Sequence, residues 1–348
     1  MNYFLNYLST FISIIRIYFK TKNKKNNLFF YFPIKIYQEN IIDITKTLSK
    51  KNNIFLIYNS YSKKQIINYH NSFLIDFNLV SFIPFKNFFM KNIDFFFSSY
   101  LSYVYPPNSK NIYISHDIYD APMIEPKLEK QLFVRINKLD FIFASSNFSK
   151  KYFENKFQKY NLKKNPKVFN TGYLKLDHLT EIFKRKKKIN NKKIKVVLAP
   201  GFSSHLKKYG MAKKLCKIIN TIVKNKKFSL IFRPHPLDLT KKGDFKMINN
   251  IFSKYKKNLN FSVDYKSSYI NSYHSSDILI TDTSGTAYTF AFSTNKPVIF
   301  FSNKEKELLK EDFTKTYFFI DRKKIGSICN DTKSLNKQIN IVYKKKKI

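Results

Sequence analysis

The chain alternates short, almost uninterrupted apolar runs with longer stretches of mixed polarity. In the first half the runs are NLFFYFP (27–33), NIFLIY (53–58), DFFFSS (94–99), NIYIS (111–115), DFIFAS (140–145) and KVFNTG (167–172). Runs this short and apolar predict strands buried on both faces. Helical spacing fills 36–51, 125–138 and 146–160. A segment that is almost all charge follows, EIFKRKKKINNKKIK (181–195). The pattern then resumes with KVVLAP (195–200), FSLIFRP (228–234), NFSVD (260–264), DILITD (277–282), PVIFF (297–301) and TYFFID (316–321). Helices are predicted over 207–224, 242–256, 266–275, 284–294 and 333–344. Such alternation argues for an α/β chain of two doubly wound parallel sheets facing each other, 26–185 and 186–348. Ligands of such sheets sit beyond the carboxyl ends of the strands, so strand ends are where chemistry is to be sought.

The first residues, MNYFLNYLSTFISIIRIYF, form a separate element, with 1–25 as its extent. Early Lys or Arg and a small-residue cleavage site are both missing, so a signal peptide is not indicated. Asn2, Asn6, Ser9, Ser13 and Arg16 recur every three or four positions and give a helix one narrow polar stripe. The cationic TKNKKNN follows. Two readings stand side by side: a helix lying on the anionic inner face of a membrane, and a helix packed on the domain's own core. A spanning helix ranks third.

Composition changes this picture little. Hydrophobic residues make up 43% and aromatics 18%, which excludes a disordered chain despite a net charge of +41. Only five of the 64 basic residues are arginine, and the lysines are scattered rather than gathered on one element. That argues against a specific nucleic-acid reader, while attraction to anionic lipid and to phosphorylated substrates is expected. Cys216 and Cys329 make no disulfide or zinc pattern and fit a reducing cytoplasm, as small buried hydrophobes. P-loop, HExxH and G-x-S-x-G motifs are all missing, and neither a metal nor a cofactor is called for.

Four strand ends carry candidate chemistry. SLIFRPHPLD (229–238) stops on Arg233 and His235, held by Pro234 and Pro236; the guanidinium is a forked phosphate donor and the imidazole a donor or titrating acid. DILITDTSGTAYTFAF (277–292) runs from Asp282 through Thr283, Ser284, Gly285 and Thr286 into a helix, whose start suits a phosphate as well as an ordinary cap. NIYISHDIYDAP (111–122) places His116, Asp117 and Asp120 beyond a strand of the first half, where a His can take a proton from an attacking hydroxyl. VVLAPGFSSH (196–205) ends on Pro200 and Gly201, then Ser203, Ser204 and His205, a weaker phosphate signal. NTGYLKLDHL (170–179) is a similar turn that could simply bridge the domains. His70 and His274 read as structural.

The order of these motifs resembles the CDP-glycerol glycerophosphotransferases of teichoic-acid synthesis. The resemblance is carried by IFRPHP (231–236) and ILITDTSGTAYTFAFSTNKPVIFF (278–301), is firm over about 195–301, and is looser through YISHD, FIFASS and NTGYLKLD. It implies a Rossmann-like, GT-B-like architecture, with 26–185 on the acceptor side and 186–348 binding the nucleotide donor. It further implies transfer of glycerol phosphate from CDP-glycerol, or another nucleotide-activated donor, to a hydroxyl of a membrane-linked polyol or glycan acceptor, releasing CMP. The enzyme would be cytoplasmic and peripheral on the inner face of the membrane. His116, with Asp117, would be catalytic. Arg233, His235, Ser284, Gly285 and Thr286 would hold the donor with Pro200 and Gly201, and Asp282 would orient the turn. The family's usual His-Gly is His116-Asp117 here, its paired serines are Ser284-Gly285, and its Tyr is Thr283.

Two alternatives keep the fold or abandon it. One is a GT-B glycosyltransferase or nucleotide-sugar 2-epimerase using a UDP- or CMP-sugar; the paired Glu typical of the epimerases is replaced by Tyr288-Thr289. The remote one is a non-enzymatic basic protein that binds membrane or RNA.

Overall fold

The computed structural model describes residues 2–21, 25–33, 41–58, 72–80, 91–102, 105–119, 126–162, 164–187, 189, 191–204, 207–239, 244–266 and 268–345. They fall into two compact units, Met1–Lys175 and Leu176–Ile348. The division falls in the first turn of the helix over 174–185.

The first unit is one parallel sheet of β1 (Asn27–Phe32), β2 (Asn53–Tyr58), β3 (Ser72–Leu74), β4 (Phe95–Ser98), β5 (Lys110–Ile114), β6 (Phe141–Ala144) and β7 (Lys167–Asn170), in the order β3-β2-β1-β4-β5-β6-β7. Its helices include α1 (Asn2–Lys20), α2 (Ile42–Leu48), α3 (Phe77–Val80), α4 (Pro126–Ile136) and α5 (Asn147–Tyr160). Phenylalanine makes this sheet because its flat rings stack across register partners: Phe29 on Phe55 and Phe30 on Phe97, each at 4.6 Å. Alternate residues serve opposite faces. Phe29, Tyr31, Phe55 and Phe96 pack with Ile14 and Ile17 of α1, while Leu28, Phe30, Phe32 and Tyr58 form the core of the other face.

Helix α1 packs on the domain's own core through one side only. Thr10, Ser13, Ile14 and Ile17 are buried on the domain, whereas Phe4, Leu5, Leu8, Ile12, Ile15 and Phe19 are exposed. Among the described residues no helix is long and apolar enough to cross a membrane.

Between the units runs α6 (Leu174–Arg185). The second unit is a parallel sheet of β8 (Ile194–Leu198), β9 (Phe228–Phe232), β10 (Phe261–Val263), β11 (Ile278–Thr281), β12 (Val298–Phe301) and β13 (Gly326–Cys329), in the order β10-β9-β8-β11-β12-β13. Around it lie α7 (Leu215–Val223), α8 (Phe245–Tyr255), α9 (Ile270–Ser275), α10 (Thr286–Thr294), α11 (Glu305–Leu308), α12 (Tyr317–Ile320), α13 (Arg322–Ile325) and α14 (Leu335–Lys345). Leu215, Ile218, Ile219 and Ile222 of α7 bury their stripe on Val196, Leu198, Phe228 and Leu230.

Three expectations need correcting. TYFFID is not a strand: residues 317–320 make one helical turn, burying Phe318 and Phe319 and exposing Tyr317 and Ile320. Four apolar residues carry too little periodicity to separate the two. The last strand is GSIC (326–329), which sits at the edge of the sheet and is mostly half-buried, so it lacks an apolar signature. A Cβ on Gly326 would meet the Val298 carbonyl oxygen at 2.0 Å, so only glycine lets β13 approach β12. Finally, Cys216 is exposed, while Cys329 is buried.

Candidate active site

The order of the second sheet reverses between β8 and β11, the point at which a doubly wound sheet opens a crevice. Asp282, directly after β11, turns its carboxylate back into the protein. Its Oδ1 accepts the amides of Gly201 and Thr283, both at 2.8 Å, and its Oδ2 accepts the amide of Met211 at 2.9 Å. One buried carboxylate therefore holds the end of β8, the approach to α7 and its own turn. A Cβ on Gly201 would stand 3.0 Å from Asp282 Oδ1, which explains the glycine after Pro200.

Ser284, Gly285 and Thr286 are half-buried at the start of α10. No side chain caps this helix from Gly285, and Ser284 Oγ reaches the Thr286 amide at only 3.4 Å. Polar hydrogens at this positive helix end suit an anion. Gly285 has an ordinary helical φ of −59°, so its value here is the bare backbone, not conformational freedom. The Thr286 hydroxyl is hydrogen-bonded to Tyr273, which fixes it.

The turn after β9 is braced from two sides. Arg233 Nη1 donates to Asp264 Oδ2 at 2.7 Å, with both side chains nearly buried. The Ser272 hydroxyl donates to the same oxygen, and the guanidinium lies 5.8 Å from the Tyr269 ring. The charge that the sequence assigns to a phosphate is met by Asp264 at the end of β10. A phosphate contact would have to share the guanidinium with that carboxylate. His235 Nδ1 accepts the Leu237 amide at 3.2 Å, so the neutral ring carries its proton on Nε2. Its ring lies 5.6 Å from Phe202. Asp238, 1% exposed, accepts the amide and hydroxyl of Ser203. The segments after β8 and β9 are thereby tied into one wall.

In the first unit His116 follows β5. Its Nδ1 is 2.8 Å from the Tyr113 hydroxyl, and its carbonyl accepts the Tyr173 hydroxyl at 2.8 Å. Asp117 Oδ1 accepts the Ile118 amide at 2.7 Å. Ser145 and Ser149 hydroxyls hold the carbonyls of Ile118 and Tyr119, and Ser146 caps α5 by accepting the Ser149 amide. The loop is therefore held from β5, β6, α5 and the segment after β7. His116 is exposed at the surface, with its imidazole desolvated in part by the loop around it. That desolvation pulls its pKa below the ordinary 6.5; Asp117 pushes upward and Lys175 downward. The loop residues Asp120 and His205, and also His70, lie outside the described residues.

Several contributors escaped the sequence reading. Asp264 was legible, as the polar end of the predicted strand NFSVD. Asp238 stood in the quoted motif, but its partner Ser203 is 35 positions away. Tyr113, Tyr173 and Lys175 had no signal of their own. The NKP segment has a structural explanation: Asn295 closes α10 with φ 53°, and Lys296 Nζ caps α9 through the carbonyls of Tyr273, His274 and Ser276 at 3.2, 2.7 and 2.6 Å. Tyr288 and Thr289, standing where epimerases carry paired Glu, are buried in the core. A cavity of about 330 Å³, lined by Phe183, Lys186, His274 and Tyr343 among others, lies by the amino ends of β11 and β12, away from these groups.

Two doubly wound parallel units with polar strand ends define the GT-B-like class of fold. The chain belongs to the family described as CDP-Glycerol:Poly(glycerophosphate) glycerophosphotransferase, whose family model matches residues 112–347. The match extends well beyond 195–301 and takes in His116. Among solved structures it is similar to the wall teichoic acid polymerase TagF, at 16% identity over 99% of this chain and 91% of that chain, with a TM-score of 0.59. It is also similar to Methanocaldococcus jannaschii UDP-GlcNAc 2-epimerase in complex with UDP-GlcNAc and UDP, at 12% identity over 91% and 92% of the two chains, with a TM-score of 0.58. No curated protein matches the sequence.

Proposed function

We propose that this glycerophosphotransferase moves glycerol phosphate from CDP-glycerol to a hydroxyl of a membrane-linked surface-polymer acceptor. The observation that carries the reading is the braced His116 loop, inside the region shared with the family. In the tautomer that donates Nδ1–H to Tyr113, Nε2 is the nitrogen left to act as base. It takes the proton of the acceptor hydroxyl as that oxygen attacks the phosphorus of the glycerol phosphate. The bond from that phosphorus to the bridging oxygen breaks, and CMP leaves with the electron pair. Such transfer needs positioning and charge neutralisation more than covalent help. Ser284, Thr286 and the start of α10 are suited to holding the donor phosphates, with His235 Nε2–H as a further donor and Gly201 giving close approach at the crevice. Asp282 and Asp238 support these groups through the backbone.

The acceptor's setting rests on α1. Its six exposed apolar side chains form one stripe along the helix, flanked by Arg16 and Lys20. On a chain of net charge +41, that stripe suits the anionic inner face of a membrane, with the enzyme peripheral and cytoplasmic. The test is transfer of radiolabelled glycerol phosphate from CDP-glycerol, with CMP release followed in parallel. His116→Ala is expected to lower turnover by about 100-fold or more, while calorimetry still shows CDP-glycerol binding. Full activity in that variant, or thermal stabilisation by uridine nucleotides and not by CDP-glycerol, would sink the reading.

A further inference from the structure

Phe202 stands at the switch point of the second sheet, directly after Gly201 and the end of β8. Both of its neighbours are clamped. Gly201 gives its amide to Asp282, and Ser203 gives its amide and its hydroxyl to Asp238. Both carboxylates are buried, so the backbone is fixed on either side of this ring. Phe202 itself is only half-buried. A phenylalanine gains most from complete burial, so a ring braced this firmly and left partly open has a face to offer. The phosphate site is close. A Cβ on Gly201 would stand 3.8 Å from Cβ of Ser284, and Phe202 is one residue, about 3.8 Å, further along the chain. The ring also lies 5.6 Å from that of His235, tilted by 35°.

We propose that Phe202 is the platform on which the base of the nucleotide donor stacks, cytosine if the donor is CDP-glycerol. The proposal rests on the donor phosphates binding at the start of α10. Phosphates held there tie a nucleoside to the same crevice, and the base is its flat part. Stacking removes the face of the base from water and tolerates either pyrimidine, because every base has a π-face. His235 meets Phe202 at a tilt and does not lie flat on it, so a face remains for the base. A ring already fixed by its neighbours spares binding the cost of ordering a side chain. Phe202 would touch the donor away from the reacting phosphorus, and so add to affinity rather than to the chemical step.

The test is calorimetry on the whole protein with CDP-glycerol, CDP, UDP and inorganic pyrophosphate, the last a probe without a base. In the parent, CDP should bind more tightly than pyrophosphate. Phe202→Ala should weaken CDP and CDP-glycerol about 10- to 100-fold, the worth of one base–aromatic stack, and leave pyrophosphate unchanged. Phe202→Trp keeps a π-face and should hold CDP as the parent does. Phe202→Leu is apolar without a ring and should lose most of the gain. In turnover, the KM for CDP-glycerol should rise in Phe202→Ala with kcat little changed. Parent affinity for CDP in Phe202→Ala or in Phe202→Leu would overturn the proposal. So would an equal loss of pyrophosphate and CDP, which would make Phe202 a prop for His235. Should the alanine variant not fold, the leucine and tryptophan variants decide alone. If the parent binds UDP and not CDP, the CDP-glycerol reading falls, and UDP against pyrophosphate decides on Phe202 in the same way. A parent that binds neither nucleotide more tightly than pyrophosphate overturns the platform outright.

Discussion

Replacing Asp282 with alanine removes the acceptor of three backbone amides at once. Those of Thr283 and Met211 are in buried surroundings and that of Gly201 is partly buried. A buried amide left without an acceptor costs about 1–3 kcal/mol, and bonds to a charged acceptor lie at the upper end. Water can reach Gly201, so the loss should be about 3–5 kcal/mol. At roughly 2–4 °C per kcal/mol for a unit of this size, the second unit should melt about 6–20 °C lower. Urea unfolding should show a lower midpoint at an unchanged slope, because the surface exposed on unfolding is the same. Ser284→Ala is the contrasting case. Its hydroxyl makes one long internal contact of 3.4 Å, so stability should stay within about 1 kcal/mol. Affinity for CDP-glycerol should weaken about 10-fold or more, the worth of a hydrogen bond to a charged group. The reasoning fails if Asp282→Ala loses under about 1 kcal/mol while donor binding collapses. That outcome would make Asp282 a ligand contact rather than the clamp of the switch point.

Two further outcomes are expected. Arg233→Met leaves Asp264 buried without its cation and should cost about 3–5 kcal/mol; the same substitution combined with Asp264→Leu should recover much of that loss, since a buried pair is worth little over an apolar one. Simple additivity in a urea double-mutant cycle would refute the pairing. Replacing Phe4, Leu8 and Phe19 by serine should abolish salt-sensitive flotation with phosphatidylglycerol vesicles, at about 1.5–3 kcal/mol per side chain removed from the lipid, and leave the melting temperature in place. Undiminished flotation would refute a membrane role for the stripe.

Much of the scaffold was legible because parallel strands covered on both faces must be apolar throughout. Eleven of the runs read as strands sit within a residue or two of β1, β2, β4, β5, β6, β7, β8, β9, β10, β11 and β12. Elements without that burial escaped: β3 is three residues long, and β13 is an edge strand of half-buried residues. TYFFID failed in the opposite sense, since a single buried helical turn is as apolar as a strand.

The sequence by itself determined that there are two α/β units, which strand ends are polar, and that His116, Arg233, His235, Asp282 and Ser284 stand at those ends. Local patterning suffices for this, because side-chain burial in a strand or helix depends on period alone. The tertiary structure decided what each group does there. Strand order put β8 beside β11, so that Asp282 spends its carboxylate on backbone amides up to 81 positions away. It put Asp264 against Arg233 and so neutralised a charge that looked available. It brought Tyr113, Tyr173 and Lys175 around His116. A carboxylate or an ammonium in a sequence is only a charge; its partner, and hence its role, is fixed by groups that meet it through space.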